Sequence, residues 1–189
     1  MALEKASLFF RKAVGYDTMV FDILSPHLNN GKVLSVGCGE GRVESLLQRK
    51  RGIDIVGAEV TLYKNQKIQI EMIDGEKLPF PDKSFETTIF VYMLHHTENI
   101  DTLLAEARRV TKGTILILDH TYTNPLSKGL LKLYDYGANI FSGMPIPFNF
   151  LKIREWKSLF KKFNLDVEEA TIPSALNVFF KLTVRPTTG

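Results

Sequence analysis

Two periods of apolar spacing alternate along the chain. Short, nearly continuous apolar runs read as strands at 32–36 (KVLSV), 53–58 (IDIVGA), 69–73 (QIEMI), 87–93 (TTIFVYM) and 114–120 (TILILDH). Between them lie stripes at helical spacing. Val43, Leu46, Leu47 and Lys50 form one after the first run. Ile100, Leu103, Leu104, Ala107 and Val110 form the clearest amphipathic stripe, just before the fifth. The run at 87–93 is β-branched and aromatic throughout, as a strand covered on both faces should be. This alternation predicts a parallel sheet with helices on both sides.

The C-terminal third changes pattern. Trp156, Leu159, Phe160 and Phe163 mark one more helix. The strand-like stretches LDVEEATI and NVFFKLTVR follow with few residues between them, which suits antiparallel neighbours. In the last one Phe180, Leu182 and Val184 alternate with Lys181, Thr183 and Arg185, as on a half-exposed strand. The prediction is a single α/β domain over 1–189 with N-terminal helices in 1–30. Its sheet would be Rossmann-like, doubly wound, seven-stranded and mostly parallel, with an antiparallel last strand.

Two stretches resist that scheme. Between Glu59 and Gln69 there is room for only one or two helical turns. Residues 121–153 are too long for a plain connection. They hold an apolar helix around Leu126 to Tyr134, then Phe141, Met144, Pro145, Ile146, Pro147, Phe148 and Phe150. They read as a cap-like insertion over a site, with packing on the sheet as the alternative role.

Composition narrows the class. The 189 residues can bury one sizeable core, and the net charge of +3 is spread along the chain. Neither a nucleic-acid nor a membrane partner is called for. Cys38 is the one cysteine, so no intrachain disulfide and no cysteine-based zinc site is expected, and the sequence marks no metal site. No apolar segment nears the roughly 18 residues that cross a bilayer. The first residues carry Glu4 and lack a long apolar run, so they read as no signal peptide, and a cytoplasmic location is expected. The pattern leaves monomer and dimer both open.

The chemistry starts at VLSVGCGEG, where Gly37, Gly39 and Gly41 follow a strand and precede a helix. Such a loop lets a ligand approach the backbone at a strand's carboxyl end, or simply turns the chain tightly. Glu59 closes the second run, where a carboxylate can accept from both hydroxyls of a ribose. Together they indicate an adenosine-containing cofactor, and NAD fits the pair nearly as well. The dinucleotide fingerprint, however, needs its third glycine at position 42, which is Arg42, and Glu40 is a poor neighbour for a pyrophosphate. A positively charged cofactor without phosphates, such as S-adenosylmethionine, is compatible with both.

The stretch MIDGEKLPFPDKSFETTIFVYMLHH closely resembles the small class I S-adenosylmethionine-dependent methyltransferases, in particular the type 11 group. Asp74, Gly75, Glu76, Leu78, Pro79, Phe80, Phe85 and the strand-end Leu-His-His carry the likeness. It covers residues 30 to 120 well and continues loosely through the Trp156 helix. The resemblance implies a methyltransferase acting on a small-molecule acceptor, or a non-catalytic S-adenosylmethionine-binding protein of the same fold. It implies that Gly37, Cys38 and Gly39 lie against the methionine part and Glu59 holds the ribose, with Val60 beside it. Asp74 would accept from the adenine amine, with Gly75 and Glu76 alongside, and Val91, Tyr92 and Met93 would flank the cofactor.

A base is needed only if the acceptor must lose a proton. The candidates are His95, His96, Asp119 and His120. The alternatives are that His96 caps the next helix and that His120 is a surface residue. Tyr16 and Tyr122 are weaker pocket candidates. One departure stands out: Ser35 occupies a position where the family usually has an acid that helps hold the cofactor's amino group. Either the cofactor is held less tightly for it, or Glu40 supplies part of that charge.

Overall fold

The computed structural model describes residues 15–139 and 147–185, except the side chains of 138 and 139. Helix α1 (Tyr16–Leu24) leads through a 3-10 turn at Ser25–His27 into β1 (Lys32–Val36) and α2 (Arg42–Arg51). Next come β2 (Asp54–Glu59), β3 (Ile70–Met72), β4 (Phe85–Val91), α3 (Ile100–Val110) and β5 (Thr111–His120). Helices α4 (Pro125–Asn139) and α5 (Ile153–Lys162) precede β6 (Leu165–Ser174) and β7 (Asn177–Val184).

The sheet has seven strands in the order β3-β2-β1-β4-β5-β7-β6. β1 to β5 are parallel to their neighbours, and β7 is antiparallel to both β5 and β6. The expected fold class is therefore present. The order reverses direction at β1, so the carboxyl ends of β1 and β4 flank the switch point where such sheets bind ligands.

Alternation along the central strands divides the core in two. Leu34, Val36, Phe90, Ile115, Ile117, Phe180 and Leu182 pack with α3 and α5, including Trp156 and Phe160. Val33, Ile89, Leu116, Leu118 and Phe179 face the other way, with Val20, Leu24, Val43 and Leu47 of α1 and α2. Each wholly buried side chain of this size contributes about 1.5–3 kcal/mol. Local chemistry sets the helix limits. Gly52, in the left-handed region, ends α2 and donates its N–H to Gln48 O. Asn99 starts α3 by accepting from the Thr102 N–H.

Some expectations need correction. Residues between Glu59 and Gln69 form turns and bends without a helix. The β2–β3 crossover is simply too short for one. The fifth strand starts earlier than the apolar run at 114–120 suggests, because Thr111 to Gly113 already belong to β5, with an irregularity opposite Phe85 and Thr87. The run at 87–93 stops pairing at Val91. Of the cap, residues 140–146 lie outside the described residues, as do residues 1–14 of the N-terminal segment.

Candidate active site

The glycine loop is built against β2. Gly37 donates to Ala58 O at 2.8 Å. Its φ is +68°, and a Cβ there would lie 2.8–2.9 Å from the Met93 side chain. Gly57 gives the loop its seat, because a Cβ on it would come within 2.5 Å of Cys38 Sγ. The surroundings of Cys38 disfavour its thiolate form. Burial, then the Glu44 and Glu59 carboxylates, push its thiol far above its ordinary pKa.

Glu59 ties this loop to the strand ends. Its Oε2 accepts from Gly39 N–H at 2.7 Å and its Oε1 from Val60 N–H at 2.8 Å. Glu59 pairs with Met72, and Ile73 donates to Glu59 O at 3.0 Å. Asp74 is thereby the next residue along the same edge. Its Oδ1 accepts from the N–H groups of Lys77 and Glu76, each at 2.8 Å, and these bonds hold its carboxyl below the usual range. Gly75 turns beside Val60 at φ +89°. Strand register thus collects Gly37, Cys38, Gly39, Glu59, Val60, Asp74, Gly75 and Glu76 along the carboxyl ends of β1, β2 and β3.

Beneath the loop, Ser35 is 1% exposed and donates its hydroxyl to Glu44 Oε1 at 2.7 Å. Glu44 lies on α2 and is only 3% exposed. The carboxylate facing Ser35 is that of Glu44. The sequence conceals it, because in α2 it is an acid amid Arg and Gln residues and reads as part of the solvated face.

The other half of the site lies at the ends of β4 and β5. Val91 ends β4, and Tyr92 follows in the left-handed region at φ +48°, donating to Leu118 O. A bulky residue held there is strained, a feature that concentrates at functional sites. The Tyr92 ring packs on His120 (4.8 Å between centroids) and on Tyr16 (5.9 Å). The Tyr122 ring instead takes Lys128 and Lys152 on its faces.

His95 and His96 lie in a 3-10 turn, Leu94–His96. His96 does not cap α3, which Asn99 caps. His95 is buried, with Nδ1 2.5 Å from Asp119 Oδ1. Asp119 also accepts from the N–H groups of Leu94 (3.0 Å) and His120 (2.6 Å). Burial opposes charge on His95, but Asp119 and then Asp135 outweigh it and push its pKa up to about 9. Burial works against the Asp119 carboxylate as well, yet His95 holds it below its ordinary range. His120 is half-buried, not a surface residue, and its Nδ1 lies 2.8 Å from Asn177 Oδ1.

Residues 149–151 and helix α4 pack against this half. Leu151 bridges to Thr121, and Asn149 donates its N–H to His95 O and its side-chain amide to Thr97 O. Phe150 stacks on the His95 ring at 5.2 Å. Helix α4 turns Leu131 and Asp135 inward, one helical turn apart, and leaves Leu126, Leu130, Leu133, Tyr134 and Tyr136 exposed. Asp135 Oδ1 is 3.6 Å from His95 Nε2 and 3.5 Å from His96 Nε2. Sequence reasoning missed Asp135, although its spacing from Leu131 was a usable signal.

Residues 34–117 match the family model described as a methyltransferase domain. The chain resembles the class I S-adenosylmethionine-dependent methyltransferases in both sequence and fold. A Pyrococcus horikoshii protein of known structure superposes with a TM-score of 0.71 at 21% identity, covering 89% of this chain and 91% of that one. Geranyl diphosphate C-methyltransferase from Streptomyces coelicolor, solved with Mg2+, geranyl diphosphate and S-adenosyl-L-homocysteine, gives 0.71 at 9% identity, with 89% and 79% covered. At these identities the two structures speak to the fold alone. Among curated relatives, a demethylmenaquinone methyltransferase of Tropheryma whipplei is 29% identical over 66% of this chain and 59% of its own length. An uncharacterised protein of Methanocaldococcus jannaschii is 32% identical over 51% of this chain and 48% of its own. The chain therefore spans about half the length of the curated relatives it matches. Among the described residues no helix is long and apolar enough to cross a membrane.

Proposed function

We propose that this chain is an S-adenosylmethionine-dependent methyltransferase whose acceptor is a small, partly apolar molecule. The observation that carries the reading is the row formed by Gly39, Glu59 and Asp74, with one carboxylate bonded to the glycine loop and a second one strand further out. A carboxylate offers about four lone-pair sites, so Glu59 can hold the loop and accept from ribose hydroxyls as well. Asp74 suits the adenine amine, with Gly75 and Glu76 alongside, and Val91 and Tyr92 flank the other side. Gly37, Cys38 and Gly39 would face the methionine portion.

When bound, S-adenosylmethionine supplies a methyl group already activated on a sulfonium. The protein's part is to align the acceptor and keep water out. Tyr92, His95, His120 and Phe150 make the acceptor side aromatic. The names of the relatives, a demethylmenaquinone methyltransferase and a ubiquinone/menaquinone C-methyltransferase, support an acceptor with an apolar skeleton. Where a proton must leave, His120 has Nδ1 fixed by Asn177, an arrangement that sets the tautomer for transfer at Nε2.

Calorimetry with S-adenosylmethionine, S-adenosylhomocysteine and NAD tests the cofactor. Heat with the first two and none with NAD is expected, and the absence of heat with the first two overturns the proposal. Labelled-methyl transfer to a panel of quinols and isoprenoids tests the acceptor class. A marked preference for a highly anionic acceptor would contradict it, and binding without turnover would favour a non-catalytic binding protein.

A further inference from the structure

We propose that His95, His96 and Asp135 form a divalent transition-metal site of the two-histidine, one-carboxylate type, on the acceptor side of the cleft. The ligand atoms of the three residues all lie within 4.8 Å of one another. The Asp135 carboxylate oxygen sits 3.6 Å and 3.5 Å from the two imidazole nitrogens. Those separations exceed a good hydrogen bond. They approach the edge of a tetrahedron whose metal bonds are about 2.0–2.1 Å, roughly 3.3 Å.

The surroundings have the matching character. A ligating imidazole typically gives its other ring N–H to a carboxylate, which fixes the ring and its tautomer. His95 does this with Asp119, and Asp119 is itself wholly buried and held by two backbone N–H groups. Helix α4 exposes much of its apolar surface and yet turns a carboxylate inward, so that Asp135 is only 2% exposed. Imidazole and carboxylate ligands suit Zn2+ and neighbouring first-row ions. Three protein ligands leave a coordination position open.

The expectation of no metal site rested on the lone cysteine. These ligands are nitrogen and oxygen atoms from a strand end and a distant helix, which sequence spacing does not connect. Resting on the methyl-transfer reading, the open position would take an oxygen of the acceptor and polarise it. The competing arrangement is an imidazolium held between two carboxylates, which binds no metal.

The test is calorimetric titration of untagged, chelator-treated full chain with Zn2+. One ion per chain is expected, with micromolar or tighter affinity. Asp135→Asn and His96→Gln should each weaken it at least tenfold, while Lys132→Ala on the exposed side of α4 leaves it unchanged. Substitution with Co2+ should give the visible absorption of a low-coordinate nitrogen–oxygen site. Circular dichroism of each variant confirms that it is folded. Failure of Zn2+ to bind, or binding that survives both ligand substitutions in folded protein, overturns the proposal. S-adenosylhomocysteine binding is measured on the same samples. Cofactor binding without zinc binding defeats the metal site alone, and zinc binding without cofactor binding defeats the methyltransferase reading alone.

Discussion

Ser35 and Glu44 share a buried hydrogen bond of 2.7 Å, one from β1 and the other from α2. The resemblance calls for an acid in the strand, and here the strand carries Ser35, whose hydroxyl meets a carboxylate from the helix. Ser35→Asp would therefore set a second carboxylate against the first instead of restoring a missing one. Loss of about 1–3 kcal/mol of stability is expected, since a buried polar partner is replaced by a like charge. Adding Glu44→Gln should recover much of that loss. A double-mutant cycle by urea denaturation measures the coupling.

Glu59 is expected to matter for ligand binding more than for folding. Glu59→Gln keeps the size and one acceptor oxygen but turns an amide NH2 toward backbone N–H groups. S-adenosylhomocysteine affinity should fall tenfold or more in calorimetry, with a smaller loss for the exposed Asp74→Asn. Equal affinity in both variants and wild type would remove these two residues from the cofactor site.

Gly37→Ala tests the loop. The left-handed backbone alone costs an alanine about 1–2 kcal/mol, and its methyl would collide with Met93. The expected result is a lower thermal midpoint together with loss of cofactor binding. Shortening the neighbour, as in Gly37→Ala with Met93→Ala, should return part of the stability but not the affinity, because the backbone strain remains.

Arg109 holds the Leu78–Phe80 turn to α3. Its guanidinium donates to Leu78 O, Phe80 O, Asp82 and Glu106, and Glu106 accepts from Leu78 N–H. Arg109→Met should cost roughly 1.5–3 kcal/mol. The Arg109 hydrogen bond holds the Glu106 carboxyl below its ordinary value of 4.5. A depressed carboxyl contributes stability that is full above that value and lost as pH falls below it, through the lowered folded-state pKa. Acid titration of the unfolding midpoint should show a steeper fall below about pH 4.5 in wild type than in Arg109→Met.

The sheet was legible because its signals are local. Apolar runs and stripes locate β1, β2, β4, β5 and α3 within a few residues, and the short link before the final strand betrays its reversal. The glycine turn after β1 and the position of Glu59 at the end of β2 were legible because turn chemistry and strand ends are readable one element at a time. What escaped depends on contacts between elements. Glu44 looks solvated until α2 is laid over β1, and Asp135 looks like part of a cap until α4 meets the 3-10 turn. His96 had a plausible local partner in α3, and Asn99 takes that place instead.

The reversal of β7 determines what borders the site beyond β5. Asn177, at the start of that strand, meets His120, and Leu176 O accepts from Thr121 N–H. The border is therefore the tip of a hairpin, in which Ser174 pairs with Asn177 across a two-residue turn. A hairpin tip can be lengthened without re-registering any strand, whereas a crossover between parallel strands cannot be altered so freely. The chain thus has one margin where insertions can reshape what the site admits while leaving the glycine loop, Glu59 and Asp74 untouched.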